Sequence, residues 1–225
     1  MPRPSRNVDA ALLAAGRALY PTFGVRALSV RRVAEEAGVN LGMFHYHFGS
    51  KEQFLRTLLG ELYEGMFAEL TLAAANDARP VEALRAAANV IGRFVRDHRL
   101  LLRRLMADAM NGEPVAVEFA AANLPRHFGV ILRLVVAGQR SGALKRVPPA
   151  QAVAFLAGAV GGPIVIGGAI VERDTTPAEL RHTFETSVLS DRALAERVDL
   201  VLAGLCAPAG PVARSSARGR RAPPP

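Results

Sequence analysis

The chain has 225 residues, enough for a small helical head and one larger body, and half of them are hydrophobic with no Trp. A single cysteine, Cys206, excludes an intramolecular disulfide framework and a cysteine-built zinc site. The net charge of +8 gathers at the ends: residues 1–52 hold seven Lys/Arg against four Asp/Glu, and residues 206–225 hold four Arg and no acid, as a polyanion binder requires.

The opening MPRPSR reads as a flexible arm whose Arg3 and Arg6 suit a minor groove. A first helix is predicted over 8–20, with Leu12, Ala15, Leu19 and Tyr20 facing its neighbours, and Pro21 is expected to end or kink it. Val30, Val33, Ala34 and Ala37 recur at i, i+3, i+4 and i+7, the apolar face of a short second helix with Ser29 as N-cap. Gly38 ends it where the chain must turn through positive φ. Asn40 caps a third short helix, and Ser50 with Gln53 forms a capping box that opens a fourth. Two short helices joined by a glycine turn form the unit that places a recognition helix in a DNA major groove.

On that third helix Phe44 and Phe48 share one face and pack inward. Gly42, Met43, His45 and Tyr46 then point outward. A helical Gly costs about 1 kcal/mol relative to Ala, a loss that close approach to DNA would offset. Leu41 and Met43 offer apolar contact to thymine methyls, while Asn40, His45 and Tyr46 offer polar contact to bases or phosphates. Lys51, at the start of the fourth helix, suits a phosphate held also by that helix's N-terminal amides. With Ser29 these residues form the expected DNA-contact set. Base reading is sparse, so DNA shape and backbone contacts should supply part of the specificity.

The stretch SVRRVAEEAGVNLGMFHYHFGSKE resembles the TetR/AcrR family of bacterial transcriptional regulators. The matching positions include Gly24, Ser29, Val30, Val33, Ala34, Ala37, Gly38, Val39, Gly42, Phe44, His47, Phe48, Ser50, Lys51 and Glu52. Asn40 stands where the family has Ser or Thr, and His45 stands where it usually has a phosphate-contacting Tyr. An imidazole in that role makes the contact pH-sensitive. The resemblance implies an all-α fold, with an N-terminal helix-turn-helix head and a larger C-terminal body that binds an effector and dimerises. It also implies a cytoplasmic homodimer, usually a repressor, on a palindromic double-stranded DNA operator, with a small-molecule effector and no enzymatic activity. The expected boundaries are 1–52 for arm and head, 53–205 for the body and 206–225 for a disordered basic tail.

Within the body, Leu55, Leu58, Leu59, Leu62, Met66 and Leu70 draw one stripe along a helix over 50–75 that joins head to body. A loop at 76–80 precedes helices over 81–96 and 99–110. After the break at Asn111, Gly112, Glu113 and Pro114, a pair of helices is expected over 115–123 and 125–140, divided by Pro125. Residues 152–171 hold no charge and are long enough to span a bilayer, which keeps a membrane-tethered regulator as the alternative. Pro163 and five glycines interrupt that run, and no Trp or Tyr flanks it. The resemblance makes it a dimerisation helix instead, with Phe155, Gly158, Ala159 and Gly162 at the twin and no membrane involved. Its partner is expected over 176–189, with Leu180, Phe184 and Val188 facing in. Leu194, Val198, Val201 and Leu205 predict a closing helix, and the tail from Ala207 has almost nothing to bury.

No catalytic, metal or cofactor constellation emerges, which leaves an enzyme as the weaker alternative. His45 and His47 diverge on their helix, and His98, His127 and His182 stand singly. The resemblance places an effector pocket between the body helices. Arg103, Asp108, Asn111, Asn123 and His127 are the polar residues of that region, and the apolar bulk points to a hydrophobic or aromatic effector.

Overall fold

A computed structural model describes residues 6–75 and 79–207, all in helices and short connections apart from one isolated bridge between Leu144 and Cys206. Expectations for Arg3, the Arg6 side chain, the loop at 76–78 and the basic tail beyond Ala207 fall outside the described residues. The helices are α1 (Arg6–Ala27), α2 (Val30–Glu36), α3 (Leu41–Phe48), α4 (Lys51–Ala73) and α5 (Pro80–Asp97). They continue as α6 (Arg99–Met110), α7 (Pro114–Arg140), α8 (Pro149–Val171), α9 (Ala178–Ser187) and α10 (Asp191–Leu205).

The local signals for the head act as expected. Ser29 Oγ accepts from Arg32 N, Asn40 Oδ1 from Met43 N and Ser50 Oγ from Gln53 N, at 3.3, 3.0 and 3.1 Å. Each caps its helix by satisfying one orphan amide. Gly38 sits at φ +66°, where a side chain would be strained. Phe44, Phe48 and Phe54 close on one another with ring centroids 5.0–5.7 Å apart and hold α3 against α4.

Prolines are the principal correction. Pattern alone has Pro21 ending or kinking the first helix and Pro125 splitting the seventh, yet α1 runs helically past Pro21 to Gly24 and α7 runs through Pro125. Proline leaves the carbonyl four residues earlier without its helical donor, and both residues concerned, Arg17 and Ala121, are exposed, a position at which solvent can take the place of the lost donor. Pro163 likewise lies inside α8, beside Val160 O, which accepts from Arg197 of α10. The break in α1 comes instead at Gly24, with φ 61° and ψ −167°.

Two apolar clusters share α4. Phe54, Leu55, Leu58 and Leu59 belong to the cluster under the head, which also takes Leu101 and Leu105 of α6 and Val115 of α7. Tyr63, Met66 and Leu70 belong to the body cluster with α5, α7, α8 and α10. The head therefore does not close its core alone.

Helices α7 and α8 are each long and apolar enough to cross a membrane by length and composition. Helix α8 nonetheless buries Val153, Leu156, Val160 and Ile164 within the body. Its C-terminal glycines serve close packing: a Cβ at Gly168 would lie 2.7 Å from Arg99 Cδ, and one at Gly167 3.0 Å from the Phe184 ring.

Candidate functional site

The proposed recognition surface is the outer side of α3 with the residues that flank it. Tyr46 is 67% exposed, and Leu41, Gly42 and His45 are exposed beside it. Met43 is half-buried, so it presents only part of its thioether outward. Ser29 and Asn40 are exposed, with their side-chain oxygens engaged as caps.

Gly42 has a local reason beside any role in DNA approach. It is the second residue of α3, and a Cβ there would meet Asn40 Oδ1 at 3.2 Å. The missing side chain leaves the cap room, and the position lies in the first turn of the helix. His45 Nδ1 lies 3.1 Å from Gly49 O, which orients the ring at the end of α3. Lys51 Nζ donates to Arg26 O at 3.4 Å and so ties the start of α4 to the end of α1.

Cations on α2 are partly spent within the head. Arg31 pairs with Glu35 at 2.9 Å, and the Arg32 guanidinium lies 4.0 Å over the Phe23 ring. Since α3 carries no Lys or Arg, its outer side is polar and aromatic rather than charged.

A cavity of about 700 Å³ lies between α4, α5, α6, α7 and α8. Leu59, Met66, Leu105, Met106, Phe119 and Val153 are among its walls, and Tyr63, Asn123 and His127 supply its polar atoms. Tyr63 Oη donates to Asn123 O at 2.8 Å and lies 3.3 Å from His127 Nδ1. Burial lowers the His127 imidazole pKa and raises that of the Tyr63 phenol, so both favour their neutral forms.

Of the five polar residues expected at this pocket, only Asn123 and His127 line it. Arg103 pairs with Glu172 at 2.9 Å and Asn111 is the C-cap of α6. Asp108 turns the other way, toward the head, and is only 2% exposed. Its Oδ2 accepts from Tyr20 Oη at 3.0 Å and from Val25 N at 2.8 Å, while its Oδ1 lies 3.0 Å from Arg104 Nε.

The backbone break at Gly24 makes this latch possible. It lets the Val25 amide turn toward Asp108, and Arg104 Nη2 donates to Phe23 O at 3.3 Å beside it. A Cβ on Gly24 would sit 2.0 Å from Arg104 Nε. Burial and the adjoining Asp108 charge raise the Tyr20 pKa far above the usual phenol range, so the hydroxyl remains a donor. Sequence reasoning missed this contact, although one signal was present: Leu101, Leu105 and Asp108 lie at i, i+4 and i+7, an acid continuing a buried stripe.

On the far side of the body the surface is apolar. Phe155 of α8 is 51% exposed and Leu200 of α10 is 74% exposed, while Ile166 is exposed at the cavity rim. Ala159 is half-buried against the body core. Gly158 and Gly162 border the cavity. Leu180 is exposed on α9, and Phe184 and Val188 are half-buried where they pack over Gly167.

Comparison with known proteins places this architecture. Residues 12–58 match the family described as bacterial regulatory proteins, tetR family. The HTH-type transcriptional repressor KstR2 of Mycobacterium tuberculosis is 34% identical over 74 residues, 33% of this chain and 37% of that protein. The matched stretch thus spans little more than a third of that relative. The solved structure of the ketosteroid transcriptional regulator KstR2 of Mycobacterium tuberculosis superposes with a TM-score of 0.66 at 18% identity, covering 91% of this chain and 97% of that one. The TetR family transcriptional regulator PfmR from Thermus thermophilus gives a TM-score of 0.64 at 22% identity, over 85% and 97% of the two chains. At such identities these structures share the fold. The N-terminal domain is that of the bacterial TetR family of regulatory proteins, and the chain as a whole takes the fold of that family's solved members.

Proposed function

We propose that the protein is a homodimeric, effector-responsive transcriptional repressor that binds an approximately palindromic operator. The observation that carries this reading is the capped α3, with Tyr46, His45 and Leu41 exposed, on a head of the TetR family. Two such heads related by a two-fold axis would place their α3 helices in successive major grooves, about 34–36 Å apart. The exposed apolar residues Phe155 and Leu200 support self-association through α8 and α10, with Ala159 allowing close approach. That KstR2 is a repressor supports the sign of regulation.

The cavity and the latch share α6, which supports a route from effector to DNA. Leu101, Leu105 and Met106 form cavity wall, and Asp108 on the same helix holds Tyr20 and Val25 of α1. An effector that displaces α6 would draw on α1 and shift the head. A tenfold loss of DNA affinity needs about 1.4 kcal/mol of coupling, within the usual range.

Selection of bound duplexes from a random pool tests the reading. The expected product is a two-fold symmetric motif, bound by a dimer that light scattering detects without detergent. An unenriched pool at low salt would overturn it.

A further inference from the structure

We infer that the cavity takes an uncharged, largely apolar ligand bearing one hydrogen-bond donor, such as a long-chain or alicyclic alcohol, and that His127 receives that donor. This deepens the effector reading and rests on it. Three observations carry it.

First, the lining holds no Lys, Arg, Asp or Glu among the described residues. A carboxylate or phosphate buried there would meet no counter-charge, which is strongly unfavourable at low dielectric. The cation next to His127 is already committed: Arg126 pairs with Glu64 through both nitrogens and lies 4.1 Å over the Phe67 ring.

Second, the polar corner is largely satisfied before any ligand enters. Tyr63 Oη spends its proton on Asn123 O, Asn123 Nδ2 donates to Phe119 O, and Asn123 Oδ1 accepts from Arg126 Nη1. Tyr63 Oη therefore accepts in its contact with His127, so Nδ1 carries the ring proton and Nε2 is left as an acceptor. Among the described residues Nε2 has no protein partner. It asks for a donor from the ligand, which a hydroxyl supplies and an ether or ester does not.

Third, burial favours the neutral ring over the imidazolium that would welcome an acid. A volume of about 700 Å³ accommodates a lipid-sized molecule.

Displacement of the neutral dye Nile red from the purified full chain tests the assignment, using dodecanol, dodecyl methyl ether, laurate and lauroyl-coenzyme A at about pH 8. Dodecanol should displace the dye at least tenfold better than laurate or the thioester, and severalfold better than its methyl ether. His127→Phe should abolish the preference for alcohol over ether while still binding both, a ratio that any partial misfolding cancels. Laurate or the thioester matching dodecanol, alcohol and ether binding equally to the unmodified protein, or failure of all four to bind would each overturn the inference. Because no DNA is present, these outcomes are independent of the duplex selection that tests the regulator reading.

Discussion

The phenol of Tyr20, on the first helix, donates to the buried carboxylate of Asp108 across 3.0 Å and 88 positions of sequence. That bond joins head to body beside the Arg104 guanidinium, which already faces the other oxygen of the same carboxylate. Tyr20→Phe should lower the unfolding free energy by about 1–2 kcal/mol, because it leaves one carboxylate lone pair unmet. Asp108→Ala should cost about 3–5 kcal/mol, since it strands the phenol, the Val25 amide and Arg104 together. Urea unfolding followed by circular dichroism measures both. With Tyr20→Phe, DNA affinity should persist while its response to effector shrinks, as titration of a labelled duplex would record.

Gly24→Ala should be among the most damaging small substitutions. The conformation at φ 61° and ψ −167° belongs almost wholly to glycine, and the added methyl would press on Arg104. A loss of about 1–3 kcal/mol is expected from the backbone alone, with more from the clash. Thermal unfolding without DNA is the appropriate measurement.

Lys51→Ala should weaken binding to all duplexes about equally and reduce the salt slope by about one unit. Affinity measured over a series of salt concentrations, on an operator and on random DNA, checks both parts. Tyr46→Ala should instead impair operator binding while leaving the dimer intact, because this side chain is two-thirds exposed and touches only the neighbouring His47 ring.

Gly42→Ala separates two accounts of one residue. If the glycine only makes room for the Asn40 cap, the variant loses a few tenths of a kcal/mol of stability and little else. We expect the larger effect on DNA affinity, by about tenfold, with near-normal melting. Melting and duplex binding measured on the same preparation compare the two.

Acid should destabilise the body. His127 and His98 both titrate lower in the fold than in the unfolded chain, chiefly through burial. The unfolded state therefore binds more protons, and stability falls as pH drops below about 6.5. Urea midpoints should decline between about pH 8 and about pH 5.5, and His127→Phe should show a smaller decline.

The head was legible in sequence because its signals are local. Ser29, Asn40 and Ser50 each act within three residues, and Gly38 answers to its own backbone. The prolines mislead for the opposite reason: whether Pro21 or Pro125 stops a helix depends on what reaches the orphaned carbonyl, and here exposed Arg17 and Ala121 leave it to water. Asp108 reads as a pocket residue because its chemistry is visible in sequence and its direction is not. Only the approach of α1 to α6 turns that acid from a pocket group into a tether. The role of the glycines at the end of α8 was not legible at all, since Gly167 and Gly168 admit Phe184 and Arg99 from elsewhere in the same chain.

The shared ownership of α4 has a mechanical consequence. Its 23 residues make a shaft about 34 Å long, with one end set in each apolar cluster. Pivoting that shaft by about 5° at Tyr63 of the cavity wall sweeps its Lys51 tip, about 18 Å away, by about 1.6 Å, and a two-fold mate would double that change in separation. Hydrogen bonds to phosphates tolerate only a fraction of that travel. Under the proposed function, an effector would need neither to unfold nor to reshape the head to loosen DNA; leverage would suffice.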